Sequence, residues 1–230
     1  MPALLIALVG AESTGKSLLA QDLTLKLAEA TGLRCALVPE LLRSWCNASG
    51  RTPRADEQTG IATEQTAQID AAARLNDIVI CDTTALMTAV YSELLFDDRS
   101  LLAAGQTFHR RCALTLLTAL DLPWVADGLQ RDGPQVRAPV DALIRRALLS
   151  AGLAWSVVAG VGSARVDAAL NAITPLLKGR ASPKRGLFTR LSDRQDALSA
   201  WVWACENCDV PECEHQDLRR KVGLLAQGQS

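Results

Sequence analysis

The sequence predicts an α/β fold: a mostly parallel five-stranded sheet with helices on both faces, followed by a small helical tail at the C-terminus. Three observations carry this expectation. Short apolar runs alternate along the chain with longer stretches of helical periodicity, the pattern of a parallel sheet with crossover helices. The first run, Leu4 to Val9, is continuously apolar and opens directly onto a glycine turn, as a strand buried on both faces does. The 230 residues are 49% hydrophobic, enough to build a full core, yet no apolar run is long enough to span a bilayer.

The elements follow in order. After the first strand, Lys16 to Ala30 reads as a helix with Leu19, Leu23 and Leu27 on one stripe, stopped near Gly32. Cys35 to Val38 is a second strand. A long helix is expected over about Ala55 to Leu75, and a third strand over Ile78 to Cys81, ending at Asp82. Leu114 to Leu120 and Ala154 to Gly160 are the fourth and fifth strands. Val166, Leu170, Ile173 and Leu177 form a last helical stripe, with Pro175 placed to kink its final turn. Right-handed crossovers restrict the topologies open to such a chain. The compact domain is expected to cover residues 1–178. A linker over 179–192 follows, rich in Gly, Pro, Ser and basic residues at its start, and then a helical, cysteine-containing tail over 193–230.

Composition excludes several functions. A net charge of -1 with interspersed signs is no footprint of a general nucleic-acid binder. Of the seven cysteines, Cys35, Cys46, Cys81 and Cys112 sit singly among apolar residues, and no basic n-region precedes the first strand. They read as reduced core thiols of a cytoplasmic protein.

Gly10-Ala11-Glu12-Ser13-Thr14-Gly15-Lys16-Ser17 matches G-x-x-x-x-G-K-[ST] with a strand before it and a helix after it. The glycines let successive backbone N–H groups curl inward toward phosphate oxygens, and the helix adds its positive end. Lys16 would reach the β- and γ-phosphates, the Ser17 hydroxyl would bind Mg²⁺, and the nucleotide-holding stretch continues to Leu18. Asp82 stands at the carboxyl end of a buried strand, where ligands bind in open α/β sheets. It can hold Mg²⁺, accept a proton from an attacking hydroxyl, or cap the next helix. Glu40 and Arg43, three apart just past the second strand, either line a substrate cleft or form a surface ion pair. Arg131 lies in a polar segment, Asp121 to Gly133, placed to close over phosphates. The glycines of "VVAGVGSAR", Val157 to Arg165, suit a loop lying along an adenine base.

In their order, "GAESTGKS", "PELLR", "ICDTT", "YSELLF" and "WVADGL" resemble the ribosylnicotinamide kinase domain of bacterial NAD-salvage proteins, over about residues 3 to 178. Similar P-loop ATPases share the G-x-E-S-[ST]-G-K-S form. The resemblance implies a P-loop kinase fold with ATP held by Gly10 to Ser17, Asp82 beside the reacting hydroxyl and Mg²⁺, and Glu40 in the acceptor cleft. The family places aromatic rings around the nicotinamide where this chain has Pro39 and Gln68, leaving Trp45 or Tyr91 as substitutes. The chain opens on the first strand, without the family's adenylyltransferase half.

In the tail, Cys205, Cys208, Cys213 and His215 offer three thiolates and an imidazole, a tetrahedral zinc complement. Leu198, Trp201, Val202 and Cys205 also fall on one helical stripe, so a helical hairpin with free thiols fits as well. The expected activity is a Mg-ATP-dependent kinase acting on a small nucleoside-like acceptor, with nicotinamide riboside a candidate. The alternative is a nucleotide-driven switch or regulatory ATPase working through its tail on a protein partner, or by self-association.

Overall fold

A computed structural model describes residues 2–125 and 133–180, all within the first of the two compact units into which the chain divides. Its five strands are β1 (Leu4–Val9), β2 (Cys35–Val38), β3 (Ile78–Asp82), β4 (Leu114–Thr118) and β5 (Ser156–Val158). They form one sheet in the order β2-β3-β1-β4-β5, every neighbouring pair parallel. The described helices are α1 (Lys16–Thr31), α2 (Leu41–Ser49), α3 (Gln58–Leu75), α4 (Ala85–Phe96), α5 (Leu102–His109), α6 (Arg137–Ser150) and α7 (Ser163–Ile173).

The apolar runs become strands because both of their faces are covered. Along β1, Leu4, Ile6 and Leu8 point to one side and meet α1 and α7 through Leu19, Leu23, Leu27, Val166, Leu170 and Ile173. Leu5 points to the other side, where Ile69 of α3 and Phe108 of α5 join Val79 and Cys81. Val9 and Leu117 continue that second face against Leu86 and Val90 of α4 and Val140, Ile144 and Leu148 of α6. The two-residue period of the strand thus assigns its side chains to two cores. Leu19, Leu23 and Leu27 of α1 are at most 2% exposed, and burying each contributes about 1.5–3 kcal/mol. Gly32 ends α1 in the left-handed conformation at φ 71°, its N–H bonded to Ala28 O.

Several expected boundaries shift. The fourth and fifth strands stop at Thr118 and Val158, the last residues of their shared register, because beyond them Asp121 and the Gly160 loop turn toward one another. The long helix begins one turn late: Ala55–Glu57 is a 3-10 turn closed by the Glu57 carboxylate on the Arg54 N–H at 2.8 Å. Pro175 falls in a 3-10 turn, Thr174–Leu177, that finishes α7. Cys46 and Cys81 are core thiols as expected, but Cys35 and Cys112 are only half-buried. Burial still pushes the Cys112 thiol up to about 12 and Cys35 to about 11, which keeps both protonated and unreactive at neutral pH. No described helix is long and apolar enough to cross a membrane. From residue 181 onward the expected linker and tail lie outside the described residues.

Candidate functional site

β1 delivers its last residue, Val9, to a loop that reverses over the carboxyl edge of the sheet before α1 begins. Three loop residues have positive φ: Gly10 at 154°, Ser13 at 55° and Gly15 at 74°. Gly10 has a steric requirement as well. A Cβ there would stand 2.0 Å from Thr118 Oγ1 of the neighbouring strand. That hydroxyl donates to Thr14 Oγ1 at 2.7 Å, and Thr14 Oγ1 donates onward to Ala11 O at 2.7 Å. The loop is therefore stitched both to itself and to β4. No side chain caps the N-terminus of α1, and the backbone N–H groups of Ser13 to Ser17 find no acceptor among the described residues. Unpaired N–H groups at a helix start on a concave loop form an anion cradle.

Lys16 lies folded over this loop, donating to Gly10 O at 2.9 Å and Ala11 O at 2.8 Å. Burial pulls its pKa below the ordinary lysine value; the charges of Glu40, Asp82 and Glu12 oppose that shift, while Arg43 reinforces it. Three carboxylates thus act on one ammonium at the mouth of the loop. Asp82 is paired across the sheet with Leu8, two residues before the loop. It is 3% exposed, and its Oδ1 has no hydrogen-bond partner among the described residues. Buried acceptors are rarely left unmatched. This one ends a central strand beside the loop of unpaired N–H groups, where it is open to an entering group. Asp82 does not cap the following helix. Thr84 does, its Oγ1 accepting from Leu86 N at 3.3 Å. Between them Thr83 turns at φ 71°. Behind Thr84, the buried His109 contacts Thr84 Oγ1 through Nδ1 at 3.2 Å and Thr115 Oγ1 through Nε2 at 2.7 Å. Desolvation lowers its pKa to about 4, so the ring is neutral.

Glu40 stands at the start of α2 and pairs with Arg43 at 3.8 Å. The turn is held by Gln65 of α3, whose Oε1 accepts from Leu41 N at 2.7 Å and whose Nε2 donates to Pro39 O at 3.2 Å. Gln68 is bonded along its own helix to Glu64. Trp45 is covered by the Arg51 guanidinium, 5.0 Å from the ring centre, and Tyr91 packs against the α4–α6 core. The Ser17 hydroxyl and the Asp82 carboxylate suit Mg²⁺, which binds through one or two protein oxygens and completes its shell with phosphate and water. No group of three or more His, Cys, Asp or Glu side chains among the described residues forms a protein-only metal site. Arg131 lies outside the described residues, as do Cys205, Cys208, Cys213 and His215.

Two residues that sequence reasoning left without a role border the loop. Thr118, an inward residue of an apolar strand, carries the hydroxyl that locks Thr14. Arg165, only 4% exposed, reaches Asp121 Oδ1, Gly160 O and Thr14 O, each at 2.8 Å. Asp121 Oδ2 accepts from Gly160 N at 2.6 Å. Burial works to raise the Asp121 pKa, and the Arg165 and Gly160 donors outweigh it, leaving the carboxyl below its ordinary value. An arginine among the apolar residues that open a helix was the available signal.

The family model AAA_28, described as an AAA domain, matches residues 5–165. Among solved structures, NadR protein in complex with NR is 20% identical with a TM-score of 0.61, covering 80% of this chain and 53% of that one. NadR in complex with NAD and AMP-PNP is 18% identical, with a TM-score of 0.57 and coverage of 80% and 52%. Thymidylate kinase from Ehrlichia chaffeensis is 14% identical, with a TM-score of 0.52 and coverage of 76% and 100%. The chain spans about half the length of the two NadR structures. No curated protein matches it. At these identities the likeness is one of fold, a P-loop kinase-like sheet with its helices.

Proposed function

We propose a reaction for this chain, which belongs to the AAA_28 family of AAA domains: transfer of the γ-phosphate of Mg-ATP to a hydroxyl of a small nucleoside-like acceptor. The observation that carries the reading is Asp82, a buried carboxylate with an unmatched oxygen at the strand end beside the phosphate loop. A switch would use such a carboxylate for Mg²⁺ alone, whereas a transferase would also use it on the acceptor hydroxyl, so a panel of acceptors separates the two.

The loop amides and Lys16 hold the phosphates, and Lys16 exchanges its two loop carbonyls for phosphate oxygens. Ser17 and Asp82 would hold Mg²⁺, which would supply positive charge to the transferring phosphoryl group. Asp82 orients the acceptor hydroxyl and takes its proton as the oxygen bonds to the γ-phosphorus. The bond to the β,γ-bridging oxygen breaks, and ADP leaves. Glu40 faces the acceptor; Arg131, the remaining candidate, lies outside the described residues. Nicotinamide riboside is the first acceptor to test, since the NadR structure in complex with NR is among those this fold resembles.

The test is a panel of nucleosides, nicotinamide riboside included, incubated with Mg-ATP and read by mass spectrometry. Phosphorylated product is expected. No product across the panel, with slow ATP hydrolysis persisting, would replace the transferase with a nucleotide-driven switch. Lys16→Ala should abolish ATP binding in calorimetry, and unchanged affinity would remove the loop from the site.

A further inference from the structure

The phosphate loop is braced from behind by a side chain far away in sequence. Arg165, in the first turn of α7, donates through Nη2 to Thr14 O at 2.8 Å and to Ala119 O at 3.4 Å. Through Nη1 it donates to Asp121 Oδ1 and Gly160 O, each at 2.8 Å. One buried guanidinium therefore joins the phosphate loop, the segment after β4 and the loop after β5. Its planar fork is suited to holding several acceptors at once, which a lysine ammonium on a flexible stem does less rigidly.

The contact to Thr14 O has a directional consequence. In a trans peptide the C=O and the following N–H point opposite ways. Fixing Thr14 O against Arg165 turns the Gly15 N–H away from the brace, where it finds no acceptor among the described residues. Gly15, at φ 74°, is the residue that lets the chain enter α1 from this flipped peptide.

We propose that Arg165 is a positioning residue for nucleotide binding: by holding the Thr14 carbonyl it aims the Gly15 amide at the nucleotide's phosphates, and through Gly160 and Asp121 it ties that loop to the loop after β5. The inference rests on the reading that the loop grips a nucleoside triphosphate. The brace touches no ligand itself. It sets the direction of a donor that does.

The test is calorimetric binding of ATP and of inorganic tripolyphosphate to wild type, Arg165→Met and Arg165→Lys, all well below their melting temperatures. Wild type should bind both ligands, and failure to bind either refutes the nucleotide reading itself. With wild type binding, Arg165→Met should lose about tenfold or more for both ligands, the worth of one hydrogen bond to a charged group. Arg165→Lys, which keeps the charge without the fork, should fall between. Unchanged affinity in Arg165→Met, even with a lowered melting temperature, overturns the brace and leaves Arg165 a support of the fold. Should Arg165→Met not fold, Arg165→Lys and Asp121→Asn decide the matter: weakened binding of both ligands supports the brace, and wild-type affinity in both variants overturns it.

Discussion

Replacing Gly10 with alanine tests the construction of the loop most directly, because it adds a clash to a backbone at φ 154° that L residues rarely adopt. The new Cβ would stand 2.0 Å from Thr118 Oγ1, where real Cβ contacts essentially never come below 3.0 Å. Thr118 is fully buried, and its hydroxyl is engaged with Thr14. The hydroxyl or the loop must retreat by about 1 Å, and over-packing of this kind costs about 1–3 kcal/mol. Breaking the Thr118–Thr14 hydrogen bond adds about 1 kcal/mol. A total near 3 kcal/mol should lower the melting temperature by about 6–12 °C in a domain of this size. The assay is thermal unfolding without ligand, run as a double-mutant cycle with Thr118→Ala. Removing Oγ1 leaves the Thr118 Cβ and carbonyl oxygen as the nearest contacts, both at 3.3 Å, a distance a small shift accommodates. The double variant should therefore be about 1–2 kcal/mol more stable than the sum of the two losses. An unaltered melting temperature for Gly10→Ala, or two losses that simply add, would refute the steric account.

Asp82→Asn keeps the shape of the side chain and removes its capacity to take a proton. Affinity for ATP measured without Mg²⁺ should stay within about threefold while phosphoryl transfer falls about a hundredfold or more; equal losses in both would assign Asp82 to nucleotide binding rather than to the metal and the acceptor hydroxyl. His109 predicts a pH dependence of stability. Its folded pKa, about 4, lies below the ordinary histidine value of 6.5, so its neutral form favours the fold above 6.5 and that advantage is lost as pH falls toward 4. Between pH 7 and pH 5 urea denaturation should show a loss of about 2 kcal/mol. The paired carboxylates Glu57 and Asp77, held down to about 2, titrate below this window. His109→Gln should flatten the profile, and a wild type already flat from pH 5 to 7 would disprove the assignment.

The parts of the site legible in sequence are those whose chemistry is local. Gly10 to Ser17 carries its own geometry, and Gly32 stops α1 where a helix lacking further apolar stripe ends. Asp82 follows an apolar run and sits at the strand end where such runs deliver polar residues. The helix after Asp82 was expected only as the next element, without bounds, because α4 is apolar on nearly every side. Burial all round leaves no stripe for periodicity to find. Thr118 and Arg165 were illegible for a different reason. Their partner Thr14 stands 104 and 151 residues away, and a residue whose meaning lies in one distant carbonyl or hydroxyl leaves no spacing to read.

The strand order has a consequence for biosynthesis. β1 is the middle strand, and both of its hydrogen-bonding neighbours, β3 and β4, come later in the chain. At the usual 5–20 residues per second, roughly 5–20 s separate the synthesis of β1 from that of β4. Until β3 is made "LLIALV" is an unpaired apolar segment with the composition of an aggregation site, and until β4 is made one of its edges stays open. Thr118 then arrives to lock the loop, and Arg165 later still, so the phosphate grip near the N-terminus is among the last features a nascent chain acquires. Ribosome-bound chains halted before Leu114 should therefore depend on chaperones, whereas those carried past Arg165 should not.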